Sequence, residues 1–168
     1  MNDKIFQKLL IPTDFSDLSL TALDYVRSFI TFQNTTIYLM HVVEDAPVMA
    51  FPAVQLDAET ILRAAEQEAL SDLNRIVKEK AIQSGQLIPL IRRGNPYKVI
   101  TGFAQANQVD LIVIATHGRT GVAHAIMGSV AEKVVRHSTT PVLTVKPVEM
   151  LNSFVHEIDV DEQLHIPH

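Results

Sequence analysis

The sequence predicts an α/β domain: a single doubly wound, Rossmann-like sheet of five parallel strands in the order 3-2-1-4-5, with helices on both faces. Three observations carry this. Short runs of branched apolar residues alternate with longer amphipathic patterns, which is the signature of β-α-β units and a parallel sheet. The run Leu111 to Ile114 is apolar at every position, as in a strand buried on both sides. Pro89, inside the third run, cannot donate to a ladder, which sends that strand to a sheet edge.

Each element follows in order. Lys8-Leu-Leu-Ile-Pro12 is the first strand, followed by the loop Thr13-Asp-Phe-Ser-Asp17 with several helix-start residues. Ala22, Val26, Phe29 and Ile30 recur at helical spacing and predict a helix from about Leu18 to Phe32. Thr35 to Val43, rich in β-branched residues, is the second strand. Glu44 to Gln55 holds two prolines and no period, and reads as a loop or lid. From Asp57 to about Gln83, Leu62, Ala65, Ala69, Leu73 and Ile76 form one apolar stripe, and Ser84-Gly85 closes that helix. Leu87 to Ile91 is the third strand. Asn95 as N-cap and Pro96 at the first helical position open the next helix, with Val99, Ile100, Phe103 and Ala104 on its buried face. Leu111 to Ile114 is the fourth strand, and Thr140 to Lys146 contains the fifth.

With the third strand at an edge, the sheet reverses direction between the first and fourth strands. Ligands of such sheets bind at the carboxyl ends of the strands flanking that reversal. Here those ends are Pro12-Thr13-Asp14 and Ala115 to Gly118.

The stretch Asp110 to Ser129 points to the same crevice by a separate route. It runs from strand to glycine-containing loop to the start of an amphipathic helix, with Ser129 and Glu132 at capping-box spacing and Ser129 as the expected N-cap. Unpaired N–H groups and the positive end of a helix dipole make such a place an anion site. No Gly-x-x-x-x-Gly-Lys-Ser/Thr occurs, and no Gly-x-Gly-x-x-Gly follows a strand. What the stretch does contain is Ala115, then Gly118, then nine residues to Gly128-Ser129. That spacing resembles the Gly-x2-Gly-x9-Gly-Ser/Thr ATP-binding motif of the universal stress protein family, with Ala115 in place of the first glycine. From glycine spacing alone, a tight strand-to-helix turn without ligand is the simpler reading.

The resemblance extends from about Lys8 to Pro147. It includes Ile11-Pro-Thr-Asp-Phe-Ser16, His41-Val-Val-Glu44, Gly94-Asn-Pro96, Asp110 to Gly121, Gly128 to Arg136 and Pro141 to Lys146. It implies a fold like that of adenine nucleotide alpha hydrolases, resembling ATP pyrophosphatases and flavodoxins. It also implies that Pro12, Thr13 and Asp14 lie beside the adenine and ribose, with Val42 against the base. Ala115, Gly118, Gly128, Ser129 and Val130 would surround the ribose and phosphates of ATP or AMP, largely through backbone N–H groups. Mg²⁺ would ride on the phosphates rather than in a protein cage. Each residue also has a plainer role. Asp14 fits a helix cap, Pro12 and Val42 fit strand ends, and Ser129 caps a helix with or without phosphate. His117 and Arg119 fall in the loop as possible phosphate neighbours or as solvated side chains, and His41 reads as a structural histidine. Ala115 continues an apolar run, so extended backbone is expected there, where its methyl is a modest load.

Composition sets the bounds. The chain has 168 residues, 47% hydrophobic and 20% charged, with a net charge of −5 and no cysteine. It is one domain with a proper core. Disulfides, thiolate catalysis and Cys-ligated zinc are ruled out. No Lys/Arg block offsets the negative charge, so nucleic acid is not an expected partner, and no apolar run approaches the roughly 20 residues of a membrane span, so neither is a membrane. Met-Asn-Asp-Lys-Ile-Phe has no signal-peptide pattern, and a cytoplasmic location is expected. No Ser-His-Asp order, His-Glu-x-x-His or paired-carboxylate site emerges, so no catalytic residue and no protein metal site is assigned.

The resemblance implies boundaries of 1–147 for a domain like those of the universal stress proteins and 148–168 for a C-terminal tail. Three functions are weighed. The first is a cytoplasmic homodimer that holds ATP or AMP and acts as a stress-response regulator. The second is an interaction module of the same fold that has lost nucleotide binding, which Ala115 keeps open. The third is a slow ATP hydrolase. The resemblance implies pairing of subunits through the fifth strand, Val142 to Lys146. In the tail, Phe154, Ile158 and Val160 make a half-apolar pattern expected to lie across the partner.

Overall fold

The structure, a computed structural model, describes residues 6–29, 35–45, 58–80, 86–116 and 127–146. The elements are β1 (Lys8–Pro12), α1 (Asp17–Phe29), β2 (Thr36–Val43), α2 (Ala58–Glu79), β3 (Gln86–Arg93), α3 (Pro96–Ala106), β4 (Leu111–Ala115), α4 (Ser129–His137) and β5 (Val142–Val145). Every strand pairing is parallel and the order is β3-β2-β1-β4-β5. This is the doubly wound sheet that the alternation of patterns and the edge position of Pro89 predict.

Period-two alternation sorts the strand residues into two cores. Leu9, Ile11, Ile37, Leu39, Leu111 and Val113 pack on one side with Leu23 and Val26 of α1 and Leu73 and Ile76 of α2. Leu10, Met40, Ile112 and Ile114 pack on the other with Ile100 and Ala104 of α3 and Ala131 and Val134 of α4. All five residues of β4 are buried, as a strand covered on both faces must be. Fully burying one such Leu or Ile contributes about 1.5–3 kcal/mol relative to leaving it exposed.

Two long-range features set the strand ends. At the amino end, the Asp110 carboxylate accepts the N–H groups of both Gln7 and Lys8 at 2.9 Å, tying the start of β4 to the start of β1. At the far edge, β3 begins one residue earlier and ends two residues later than its apolar run. It pairs residue for residue with β2, from Thr36↔Gln86 to Val43↔Arg93, so ladder partners rather than hydrophobicity fix its length. The predicted α2 reached Gln83; the helix ends at Glu79, and 81–85 fall outside the described residues. Ile30, the loop after Asp45 and the tail beyond Lys146 also lie outside them.

Gly94 turns the chain from β3 into α3. Its φ is +125°, its N–H donates to the Val43 carbonyl at 2.9 Å, and a Cβ would stand 3.3 Å from Val99 Cγ2. Gly94→Ala is expected to destabilise the domain by about 1–3 kcal/mol. Gly102→Ala, in α3 with nothing within 4 Å, should stabilise it by up to about 1 kcal/mol. Urea midpoints of the two variants should therefore move in opposite directions, and equal shifts would refute the reading of Gly94.

Candidate functional site

The ends of β1 and β4 open onto a cavity of about 620 Å³, within the usual size for small-molecule sites. Pro12, Thr13, Asp14, Val42, Ala115, Gly128, Ser129 and Val130 all line it. The structure thus gathers into one cavity the predicted residues that it describes. Gly118, His117 and Arg119 lie outside the described residues.

The first wall is the turn after β1. The Thr13 N–H continues the ladder to the Met40 carbonyl at 2.8 Å, and the chain then leaves the sheet. Ser16 is the N-cap of α1: its hydroxyl accepts the Ser19 N–H at 3.1 Å and its carbonyl accepts the Leu20 N–H. Asp14 does not cap α1 itself; its carboxylate accepts the Ser16 hydroxyl at 2.6 Å and the Ser16 N–H at 3.1 Å, bracing the cap. Beneath lies a buried hydroxyl pair, Thr13 Oγ1 and Ser19 Oγ, 2.8 Å apart. Ser19 gives its hydrogen to the Ser16 carbonyl at 2.8 Å, so Thr13 is the donor of the pair. Phe15 holds φ at +69°, a left-handed conformation that costs a bulky residue about 1–3 kcal/mol. The ring of His41 packs against it at 4.3 Å, and His41 Nδ1 is 2.8 Å from the Thr13 carbonyl oxygen.

The second wall is the start of α4, where Gly128 rather than Ser129 is the N-cap, with φ −66° and ψ 150°. The Gly128 N–H donates to the Thr116 carbonyl at 2.6 Å and its own carbonyl accepts the Glu132 N–H at 2.9 Å, so the helix begins one residue earlier than the Ser-x-x-Glu spacing suggests. Glu132 consequently reaches Arg136 at 2.8 Å instead of closing a capping box. No side chain caps this end. Helix geometry denies the N–H groups of Ser129, Val130 and Ala131 an intrahelical partner, and all three residues line the cavity. Ala115 is in the extended strand β4, and its side chain belongs to the core on the α1 side.

The sequence reading missed the third wall. Ala65 and Ala69 of α2, one turn apart, leave room beside the ends of β1 and β2, while Glu68 and Asp72 border the same cavity. Two small residues inside an apolar stripe were the available signal. With Asp14 and Glu44, four carboxylates line the cavity, and no lysine or arginine is among its described lining residues. The first turns of α2 are held over β3 by Arg93, which bonds Glu59 at 2.8 Å and Glu66 at 3.0 Å; Arg63 adds a bond to Glu59 at 2.9 Å. Among the described residues, no group of three or more His, Cys, Asp or Glu could hold a metal ion.

Residues 5–146 match the model of the universal stress protein family. The chain is 33% identical over 147 residues to universal stress protein MJ0531 of Methanocaldococcus jannaschii, covering 86% of this chain and 84% of that one. It superposes on the solved structure of MJ0577 from the same organism with a TM-score of 0.75 at 30% identity, covering 84% of this chain and 96% of that one. A universal stress protein solved in complex with cAMP matches at a TM-score of 0.54 and 26% identity, covering 83% of this chain and 96% of that one.

The bonds from Arg93 first, then Arg63, hold the Glu59 carboxyl below its ordinary value of 4.5, and Glu59 with Glu66 pushes Arg93 up. A carboxyl lowered on folding stabilises the fold fully above its unfolded value and loses that contribution as pH falls through the folded one. The contribution is therefore present at neutral pH and lost in acid. A carbon-detected NMR titration should place the Glu59 midpoint below 4.5, and Arg93→Ala should raise it. A midpoint unmoved by that substitution would dissociate Glu59 from the α2–β3 clamp.

Proposed function

The chain belongs to the universal stress protein family, and from that premise we propose that its cavity binds an adenine nucleotide as the signal of a cytoplasmic stress-response regulator. The uncapped start of α4, facing the cavity at the point where strand order reverses, is the observation that carries this reading. Backbone N–H groups and the helix dipole favour an anion there at low cost in reorganisation.

The unequal walls give the ligand a direction. In this reading phosphate sits at Gly128, Ser129 and Val130, where helix N–H groups favour an anion, with the base toward Val42 and the ribose toward Thr13 and Asp14, all residues of one cavity lining. Gly118, and with it His117 and Arg119, would complete the phosphate side. Ala115 is compatible with this pose, since its extended backbone needs no glycine. The relative solved with cAMP supports a purine nucleotide as the ligand class. With ATP, Mg²⁺ would be carried on the phosphate oxygens, where it also offsets charge that the acidic walls oppose.

Assembly is a proposal of the same kind. β5 is an edge of the sheet, and an unpaired edge invites a second strand. We propose an isologous homodimer in which β5 and its flank, Val142 to Lys146, meet their copy, and in which the tail 148–168 lies on the partner. A chain ending at Pro147 should then dissociate at higher concentration in sedimentation equilibrium. An unchanged dimer constant would remove the tail from assembly.

Calorimetry should find AMP or ATP binding to the full chain, and no heat at millimolar nucleotide would leave the interaction-module reading standing. Ser129→Asp separates site from fold. An acid in the first turn favours the helix by about 0.3–1 kcal/mol. The same charge should weaken AMP on the order of tenfold or more, the scale of one lost charge-assisted hydrogen bond. Undiminished affinity in a folded Ser129→Asp protein would move the phosphate elsewhere. Any ATP turnover should be slow, because the glycine motif itself positions no general base against the phosphates. Steady turnover near about 10 s⁻¹ would mark an enzyme instead.

A further inference from the structure

Phe15 is the observation that starts this inference. A bulky residue at φ +69° persists only where its surroundings over-determine it, and such residues collect at sites where the backbone is preset for a ligand. Its neighbour across the sheet is His41, which the nucleotide reading leaves without a role. At the end of β1 the main-chain ladder stops: the Thr13 N–H still reaches Met40, but the Thr13 carbonyl is met by the ring of His41, with Nδ1 at 2.8 Å. A carbonyl only accepts, so Nδ1 carries the hydrogen in this arrangement. The same ring lies against Phe15, centroids 4.3 Å apart and planes at 34°. One side chain on β2 thus holds two points of the turn that sets the cavity wall.

We infer that His41 is a positioning residue for the nucleotide site, donating Nδ1–H to the Thr13 carbonyl and buttressing Phe15 so that Thr13 and Asp14 are fixed before ligand arrives. This rests on the nucleotide reading above. The physical gain is preorganisation: a turn already strained into its bound shape loses less freedom on binding. Without the ring, Phe15 relaxes toward negative φ and the two lining residues lose their set position.

Two measurements test it, with AMP as the probe. In the wild-type chain, long-range nitrogen–proton NMR should show His41 with Nδ1 protonated. A neutral ring protonated only at Nε2 cannot make the bond and overturns the proposal without any variant. Calorimetry then compares wild type, His41→Leu and His41→Asn, each checked for folding by urea midpoint. The Asn amide offers a donor near the position of Nδ1, and Leu offers none. The expected result is a loss of about tenfold or more for His41→Leu with substantial recovery, to within about threefold of wild type, for His41→Asn. A folded His41→Leu that binds as wild type overturns the positioning role and leaves the nucleotide reading intact. Equal losses in both variants overturn the hydrogen bond as its means. No AMP or ATP binding by the wild type overturns the nucleotide reading itself, and the proposal with it.

Discussion

The molecule depends on one constraint: β1 has a parallel neighbour on each side, and the chain leaves those neighbours in opposite directions across the sheet. α1 and α2 cover one face on the way to β2 and β3, and α3 and α4 cover the other on the way to β4 and β5. Right-handed crossovers permit this arrangement only if the connections at the carboxyl ends of β1 and β4 part from one another. The gap between them is the cavity. It is a product of topology, and the side chains around it only decide what it accepts.

Its two principal walls reach their form by opposite means. The turn after β1 is saturated: Thr13, Asp14, Ser16 and Ser19 spend their polar groups on each other, and the result is a rigid edge. The start of α4 is left bare of side-chain caps, with its glycine held by a single main-chain bond to Thr116. A rigid edge facing N–H groups that have no partner within their own helix suits recognition of a ligand that is apolar at one end and anionic at the other. The acidic residues of α2 sharpen that polarity.

Most of the fold was legible because it follows from local pattern. Pro89 alone put β3 at an edge, and the four consecutive apolar residues Leu111 to Ile114 marked β4 as a strand covered on both faces. What was not legible depended on partners far away in sequence. Ser129 has the spacing of a cap, yet the helix starts one residue sooner because Thr116 holds Gly128. Asp14 reads as a cap but serves one, because Ser16 is closer to the helix start. Phe15 has no sequence feature that announces a left-handed backbone, since the group that stabilises it, His41, comes from the next strand. The α2 wall escaped for a similar reason: Ala65 and Ala69 look like ordinary stripe residues until β1 and β2 end beside them.

The pair of bonds from Asp110 to Gln7 and Lys8 has a kinetic consequence. They lock a pairing between segments 102 and 103 residues apart, whereas β1, β2 and β3 follow one another along the chain. Closing so long a loop carries an entropic cost that neighbouring strands do not meet. The amino-terminal three strands and their two helices can therefore collapse first, with the β4–β5 half docking afterwards onto the open side of β1. The cavity lies along that docking line, so it exists only while both halves are in place and is lost when they part. A ligand bound there acts as a bolt across the line, and amide hydrogen exchange along β1 and β4 is where its grip would be felt most.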